Sequence, residues 1–270
     1  MSKSGVPVYF ASKHPFKAKI KDKQDKNGNL DDFLNVLIDW GRSASSKIFQ
    51  RNNAPDDIYN RVKDKLGPWP TDGTFILYRK AVMLEVLRVL AGFESSWNWK
   101  EGVDVNRIKI EKKSNFPPET MESGIFQISA NSMSFNGMGN YVIENIKNSK
   151  LRKVFNENII YKYYIFRIKS MSFDGMSDEE IANKLNYLSN QSNTIHKAEN
   201  FVKEFNASVI QKEFSKKFVI GYSARLLRIA SKHHGPIQGS GINSIYPYLN
   251  KEAVKEFMNH LEPPRDFNIH

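Results

Sequence analysis

Glu94 is the residue of this chain best placed to do chemistry. It stands at the exit of a run from Phe75 to Phe93 that is apolar almost all the way round, with Val82, Val86, Val89 and Phe93 on one line and Met83, Leu87 and Leu90 beside it. A run of that length and pattern predicts a helix covered by its neighbours. A glutamate at its end meets the unpaired carbonyls of the last turn, whose negative potential disfavours a second negative charge. Phe93, Trp97 and Trp99 lie close by in sequence and add desolvation, which also favours the neutral acid. Both effects are expected to raise the pKa of Glu94, as a general acid needs if it is to hold a proton near neutral pH and give it to a departing oxygen. On spacing alone, a half-exposed glutamate at a frayed helix end is the plainer reading.

A second segment changes that balance. Glu94-Ser95 is followed by Gly124-Ile125-Phe126-Gln127, and the two in this order after a core helix resemble the lysozyme-like glycosidases that cut peptidoglycan, especially the lytic transglycosylases and goose-type lysozymes. The resemblance covers Phe75 to Ser129. It implies that Glu94 is the catalytic acid and that the segment ending in Gln127 lines a glycan cleft. Ile125 and Phe126 stand where the family usually has leucine and methionine. The later Ala-Tyr-Asn-like element of the transglycosylases has no clean counterpart; Gly221-Tyr222-Ser223-Ala224 comes nearest.

In such folds a loop or small sheet between the two segments overhangs the cleft and supplies a second carboxylate when there is one. Glu122, Asp104 and Glu101 are the candidates. Each taken singly reads first as a solvated loop acid, and at least one of the three is expected to assist. A partner close to the acid acts as nucleophile, whereas a wider gap leaves room for an activated water. With no partner, the resemblance to transglycosylases implies that the sugar's own acetamido and 6-hydroxyl groups complete the cleavage and leave an anhydro end. Ser95 either orients the Glu94 carboxyl or bonds back to the preceding helical turn. Gln127 suits an N-acetyl group, and Trp97 and Trp99 suit a sugar face, with one of them in the core. His233 is one of two adjacent histidines; it either touches substrate or, more plainly, caps the last carbonyls of a helix. Adjacent histidines point apart and make no helix-face metal pair. No metal and no cofactor is expected.

Composition bounds the classes. The chain has 270 residues, 40% of them hydrophobic, and no cysteine, which excludes disulfides, thiolate chemistry and cysteine-bound zinc. Forty Lys and Arg against 29 Asp and Glu give a net charge of +11, which implies an anionic partner. A bacterial wall polymer fits, and so by charge alone do nucleic acid and anionic lipid. No zinc, helix-turn-helix or aromatic RNA-binding signature supports a nucleic-acid binder. The expected partners are therefore peptidoglycan glycan strands, with no nucleic acid and no membrane insertion. The first residues, Met1 to Phe10, lack the apolar core of a secretory signal, so synthesis in the cytoplasm and delivery to the wall or periplasm by another system are expected. A phage holin or a contact-dependent secretion machine would serve, with an immunity protein as a further partner.

The elements that must position these residues are helical. A basic lead-in over residues 1–28 precedes a helix from Leu30 to about Phe49, with Phe33, Leu34, Leu37, Ile38 and Trp40 on its apolar side. The stretch from Asp25 to Asn29 looks like a calcium loop, but its register puts Lys23 and Leu34 at ligand positions, which rejects it. Pro55-Asp56-Asp57 starts a second helix, Gly67-Pro68 stops it, and Thr74 caps the core helix. Residues 132–139 and 170–177 are near copies and predict two similar turns, the second running into a capping box at Ser177 to Glu180. Tyr161 to Ile168 gives no clear pattern. Lys212 to Lys232 reads as an amphipathic helix with a solvated basic face, ended by Gly235-Pro236, and Asn250 caps a last helix to about Leu261. The expected architecture is mainly α and lysozyme-like, with a small sheet or loop region over the cleft. A helical extension over residues 1–72 packs on a catalytic domain over residues 73–270.

Overall fold

The computed structural model describes residues 16, 20, 25, 28–99, 101, 122–147, 149, 152–153, 216–233, 237 and 244–262. Asp104, most of the basic lead-in, the Tyr161 to Ile168 stretch, the second of the two similar turns and its capping box lie outside the described residues. Within them the fold is mainly helical, with six α-helices and one short hairpin. The chain divides into two compact units, residues 1–97 with 223–270, and residues 98–222. Within the first unit the first helix packs on the long apolar one.

That long helix, α3 (Phe75–Ser95), is the axis of the first unit, and every residue from Ala81 to Gly92 is buried. Helix α1 (Asn29–Ser43) and helix α6 (Lys251–Leu261) pack against it. The apolar side of α1 is the expected one, but the helix ends at Ser43 rather than near Phe49. Ser43 turns its hydroxyl back to the carbonyls of Asp39 and Trp40, at 3.0 and 3.2 Å. Ala44 is extended, and Ser45 accepts from the Lys47 N–H to open a separate 3₁₀ turn over Ser46–Phe49. Serine hydroxyls that bond locally compete with helix continuation, and the run Ser43-Ala44-Ser45-Ser46 does so here. At its other end α1 is held by Asp25, whose carboxylate accepts from the N–H groups of Asn29 and Leu30.

Helix α2 (Ile58–Leu66) starts later than Pro55 suggests, because Asp57 is its cap and accepts from the Tyr59 N–H at 3.1 Å. Gly67 and Pro68 end it as expected. Thr74 stands at the N-cap of α3 as expected, but its side chain makes no cap bond; its N–H and hydroxyl instead donate to the Asp72 carboxylate at 2.9 and 2.5 Å. Asn250 does cap α6, accepting from the Glu252 N–H at 2.9 Å.

The core helix is less uniformly apolar than its sequence pattern implies. Glu85 and Arg88 are fully buried in it, joined by two hydrogen bonds of 2.7 and 2.8 Å. The Glu85 carboxylate also accepts from the backbone N–H of Asn250 at 2.9 Å, so the ion pair fastens the first turn of α6 to the middle of α3. A carboxylate at a helix N-terminus is favourably placed for the unpaired N–H groups there. Burial pushes the Glu85 pKa up, and the Arg88 guanidinium opposes that shift.

Helix α5 (Lys216–Ile229) begins in the second unit and contributes its residues from Ser223 onward to the first. The expectation that its basic residues form a solvated face fails at Arg228. Its guanidinium is buried against Asp57, with Nε donating to the two carboxylate oxygens at 2.9 and 3.0 Å and further bonds to the carbonyls of Ile48 and Gln50. Arg79 of α3 joins from the other side, 4.0 Å from Asp57, over the Tyr59 ring at 3.5 Å and bonded to the Phe49 carbonyl at 2.6 Å. The carbonyls at the end of the 3₁₀ turn thus solvate two guanidinium groups that water does not reach.

In the second unit, β1 (Glu122–Ser123) pairs antiparallel with β2 (Ile128–Ser129), placing Glu122 opposite Ser129. A 3₁₀ turn over Ala130–Ser134 follows, then α4 (Met138–Glu144), which Gly137 opens at φ 74°. Tyr141 stacks on Phe218 of α5 at 5.3 Å between centroids. Among the described residues no helix is long and apolar enough to cross a membrane, and no cluster of acids and histidines suits a metal ion.

Candidate functional site

Glu94 lies in the last turn of α3 and is half-buried. The chain reverses immediately after it: Ser96 and Trp97 both adopt left-handed backbone, at φ 54° and 59°. Non-glycine residues rarely do so, because Cβ crowds the carbonyl. The reversal is held by the Ser96 N–H on the Gly92 carbonyl at 3.1 Å and the Trp97 N–H on the Ala91 carbonyl at 3.2 Å.

Beside Glu94, Ser95 and Trp97 both face the interior. Ser95 is buried and its hydroxyl donates to the Ala91 carbonyl at 3.0 Å, the back-bond to the preceding turn. Trp97 has 0% exposure, so it offers no face to a sugar; its indole N–H donates to the Arg88 carbonyl at 2.9 Å. A large aromatic whose polar end finds a carbonyl belongs in a core.

The other candidates belong to the second unit. The Glu101 carboxylate accepts from the Asn98 side-chain amide at 2.9 Å, and its backbone carbonyl accepts from the Gly124 N–H at 3.0 Å. That backbone bond brings Glu101 to the hairpin that carries Glu122. Glu122 is half-buried on β1. Between the strands, Gly124 at φ 76° and Gln127 at φ 45° bracket a tight turn closed by the Gln127 N–H on the Gly124 carbonyl at 3.1 Å. The side chains of Ile125 and Phe126 are buried and anchor this turn from inside, which accounts for two large apolar residues at its tip. Gln127 is half-buried, and its amide Nε2 donates to the same Gly124 carbonyl at 2.9 Å. Trp99 is buried with Lys216 over its ring at 5.0 Å.

Tyr222, in the segment nearest to the transglycosylases' Ala-Tyr-Asn-like element and so a candidate for touching substrate, lies in the interior. It is fully buried, and its hydroxyl pairs with that of Ser132 at 2.6 Å; burial pushes its pKa well up. No glycan reaches it there. Replacing Tyr222 with phenylalanine should therefore leave any glycan affinity unchanged while costing about 1 kcal/mol of stability. A paired thermal melt and substrate titration check both halves of that expectation. His233 sits in the 3₁₀ turn Ser231–His233 that follows α5, and its side chain, like all of Asp104, lies outside the described residues.

Comparison of the chain with protein-family models, with curated proteins and with solved structures finds no match. The geometry of the two segments is therefore what bears on function. Sequence reasoning missed the part of Asn98, which holds the Glu101 carboxylate, and its signal was the three-residue spacing between an amide and an acid. It missed the buried partners of Arg79, Arg88 and Arg228 too. Glu85 and Arg88 were legible as charges three apart inside an otherwise apolar run, a spacing that places them on one helix face.

Proposed function

We propose that this chain is a peptidoglycan-cleaving glycosidase of lysozyme-like fold, acting on the β-1,4 bond between N-acetylmuramic acid and N-acetylglucosamine. Glu94 is the general acid and, in the second step, the base. One observation carries the reading. Among the described residues the only non-glycine left-handed backbone is at Ser96, Trp97 and Gln127, all within the two segments that resemble the glycosidases. Such conformations cost on the order of 1–3 kcal/mol each and persist where the surroundings over-determine them, which is typical of reactive sites.

Glu122, Glu101 and Asp104 remain the candidates for the second carboxylate, and Gln127 is the group for an N-acetyl substituent. If one of the acids assists, the product has a reducing end; if none does, the product has an anhydro end, as from a lytic transglycosylase. The net charge of +11 supports an anionic polymer as substrate.

Mass spectrometry of purified sacculi after digestion tests this directly, since it reports the bond broken and the new chain end. Soluble disaccharide-peptides, with either end, are expected. Their absence, together with cleavage of chitin oligomers offered in parallel, would move the activity to a chitinase-like enzyme. Inertness toward both, with a DNA affinity that falls steeply with salt, would replace the enzyme with a basic binding protein.

A further inference from the structure

The last turn of α3 does not hold itself. Beyond Ser95 the backbone passes through two successive left-handed non-glycine residues, each disfavoured, so a helix left to fray would lose this turn first. Trp97 works against that loss in three ways. Its N–H reaches the Ala91 carbonyl, its indole N–H reaches the Arg88 carbonyl at 2.9 Å, and its ring packs against Gly92. A Cβ on Gly92 would sit 2.5 Å from the ring atom Cζ2 and 2.7 Å from Ile20 Cδ1, so only glycine admits the ring this close. The Arg88 side chain is bonded to Glu85, so the side chain of Trp97 ties the helix end to the turn of α3 that carries the buried ion pair.

We propose that Trp97, seated in the notch at Gly92, is a positioning residue that latches the final turn of α3 and so fixes where the Glu94 carboxyl stands. The function of that carboxyl as an acid rests on the glycosidase reading; the latch itself rests on geometry alone. Each helical residue is rotated by about 100° from the last, so a Glu94 released from helical backbone would swing its carboxyl far out of line. A catalytic group displaced by about 1 Å costs on the order of 100-fold in rate.

The test is Trp97→Phe, which keeps a ring in the notch and removes the indole donor, read beside Gly92→Ala, which displaces the ring from the other side. Amide hydrogen exchange at residues 94–97 is measured first. Faster exchange there, with the middle of α3 unchanged and Tm lowered by about 2–4 °C per lost hydrogen bond, is expected. Unchanged exchange at residues 94–97 in both variants overturns the latch, whatever the activity. Should Trp97→Phe fail to fold, Gly92→Ala is the variant read. On a soluble glycan substrate, kcat should fall about 10- to 100-fold with KM nearly constant, because binding groups stay in place while the acid moves. Faster exchange with an unaltered kcat would overturn the positioning role alone. A wild-type protein that cleaves no glycan would overturn the glycosidase reading and leave the exchange result standing.

Discussion

Replacing Glu94 with glutamine should lower the release of soluble fragments from purified sacculi by about 100- to 10,000-fold, the range that a positioned general acid supplies. Glutamine has the same shape and can still form hydrogen bonds, but it has no proton to give to a departing glycosidic oxygen. The fold should not suffer. Glu94 is half-buried in the last helical turn, where the carbonyl ends of α3 disfavour a negative charge, so a neutral amide is tolerated or slightly preferred. Circular dichroism and Tm should thus match the parent while turbidity loss stops. A Glu94→Gln protein that clears sacculi at the parental rate removes Glu94 from the reaction.

The largest loss of stability is expected from Asp57→Ala. Asp57 is 2% exposed, and it faces two guanidinium groups while capping α2. Removing one partner of a buried charge pair costs about 3–5 kcal/mol, because the remaining charge stays desolvated and unpaired. Here two cations remain, and they also repel: burial holds the Arg79 pKa down and the nearby Arg228 charge adds to that shift. Loss of the cap adds about 1 kcal/mol. Against a total stability of about 5–15 kcal/mol, such a change brings the domain close to unfolding. Asp57→Asn keeps a capping oxygen and should be milder by roughly that last increment. Pairing Asp57→Ala with Arg228→Met should recover part of the loss, since it removes a stranded charge together with its partner. Urea denaturation of the four proteins measures all of this; a loss under about 1 kcal/mol for Asp57→Ala would mean that the cluster does not hold the structure together.

Some of this was legible in the chain and some was not, for identifiable reasons. The core helix, the α6 cap at Asn250 and the stop at Gly67-Pro68 rest on local chemistry, and local chemistry can be read in order. The end of α1 falls at Ser43 because three serines in the run Ser43-Ala44-Ser45-Ser46 decide it against a hydrophobic pattern that continues to Phe49. Arg228 looked like a surface residue because its partner is Asp57, and no periodicity reports a contact across that separation. The same holds at the candidate site. Glu94 and Gln127 could be singled out by type and spacing. Trp97 was misassigned because a tryptophan next to an acid suits a sugar platform and a structural anchor equally well, and only the notch at Gly92 decides between them.

The described interior holds three arginines, Arg79, Arg88 and Arg228, against two acids, Asp57 and Glu85. Ions in solution screen exposed charge over about 8 Å at 0.15 M and about 3 Å at 1 M, but they reach groups sealed from water far less. Brine should therefore peel this protein from an acidic matrix while its folded body stays intact, so rinsing and denaturing become separable operations at the bench.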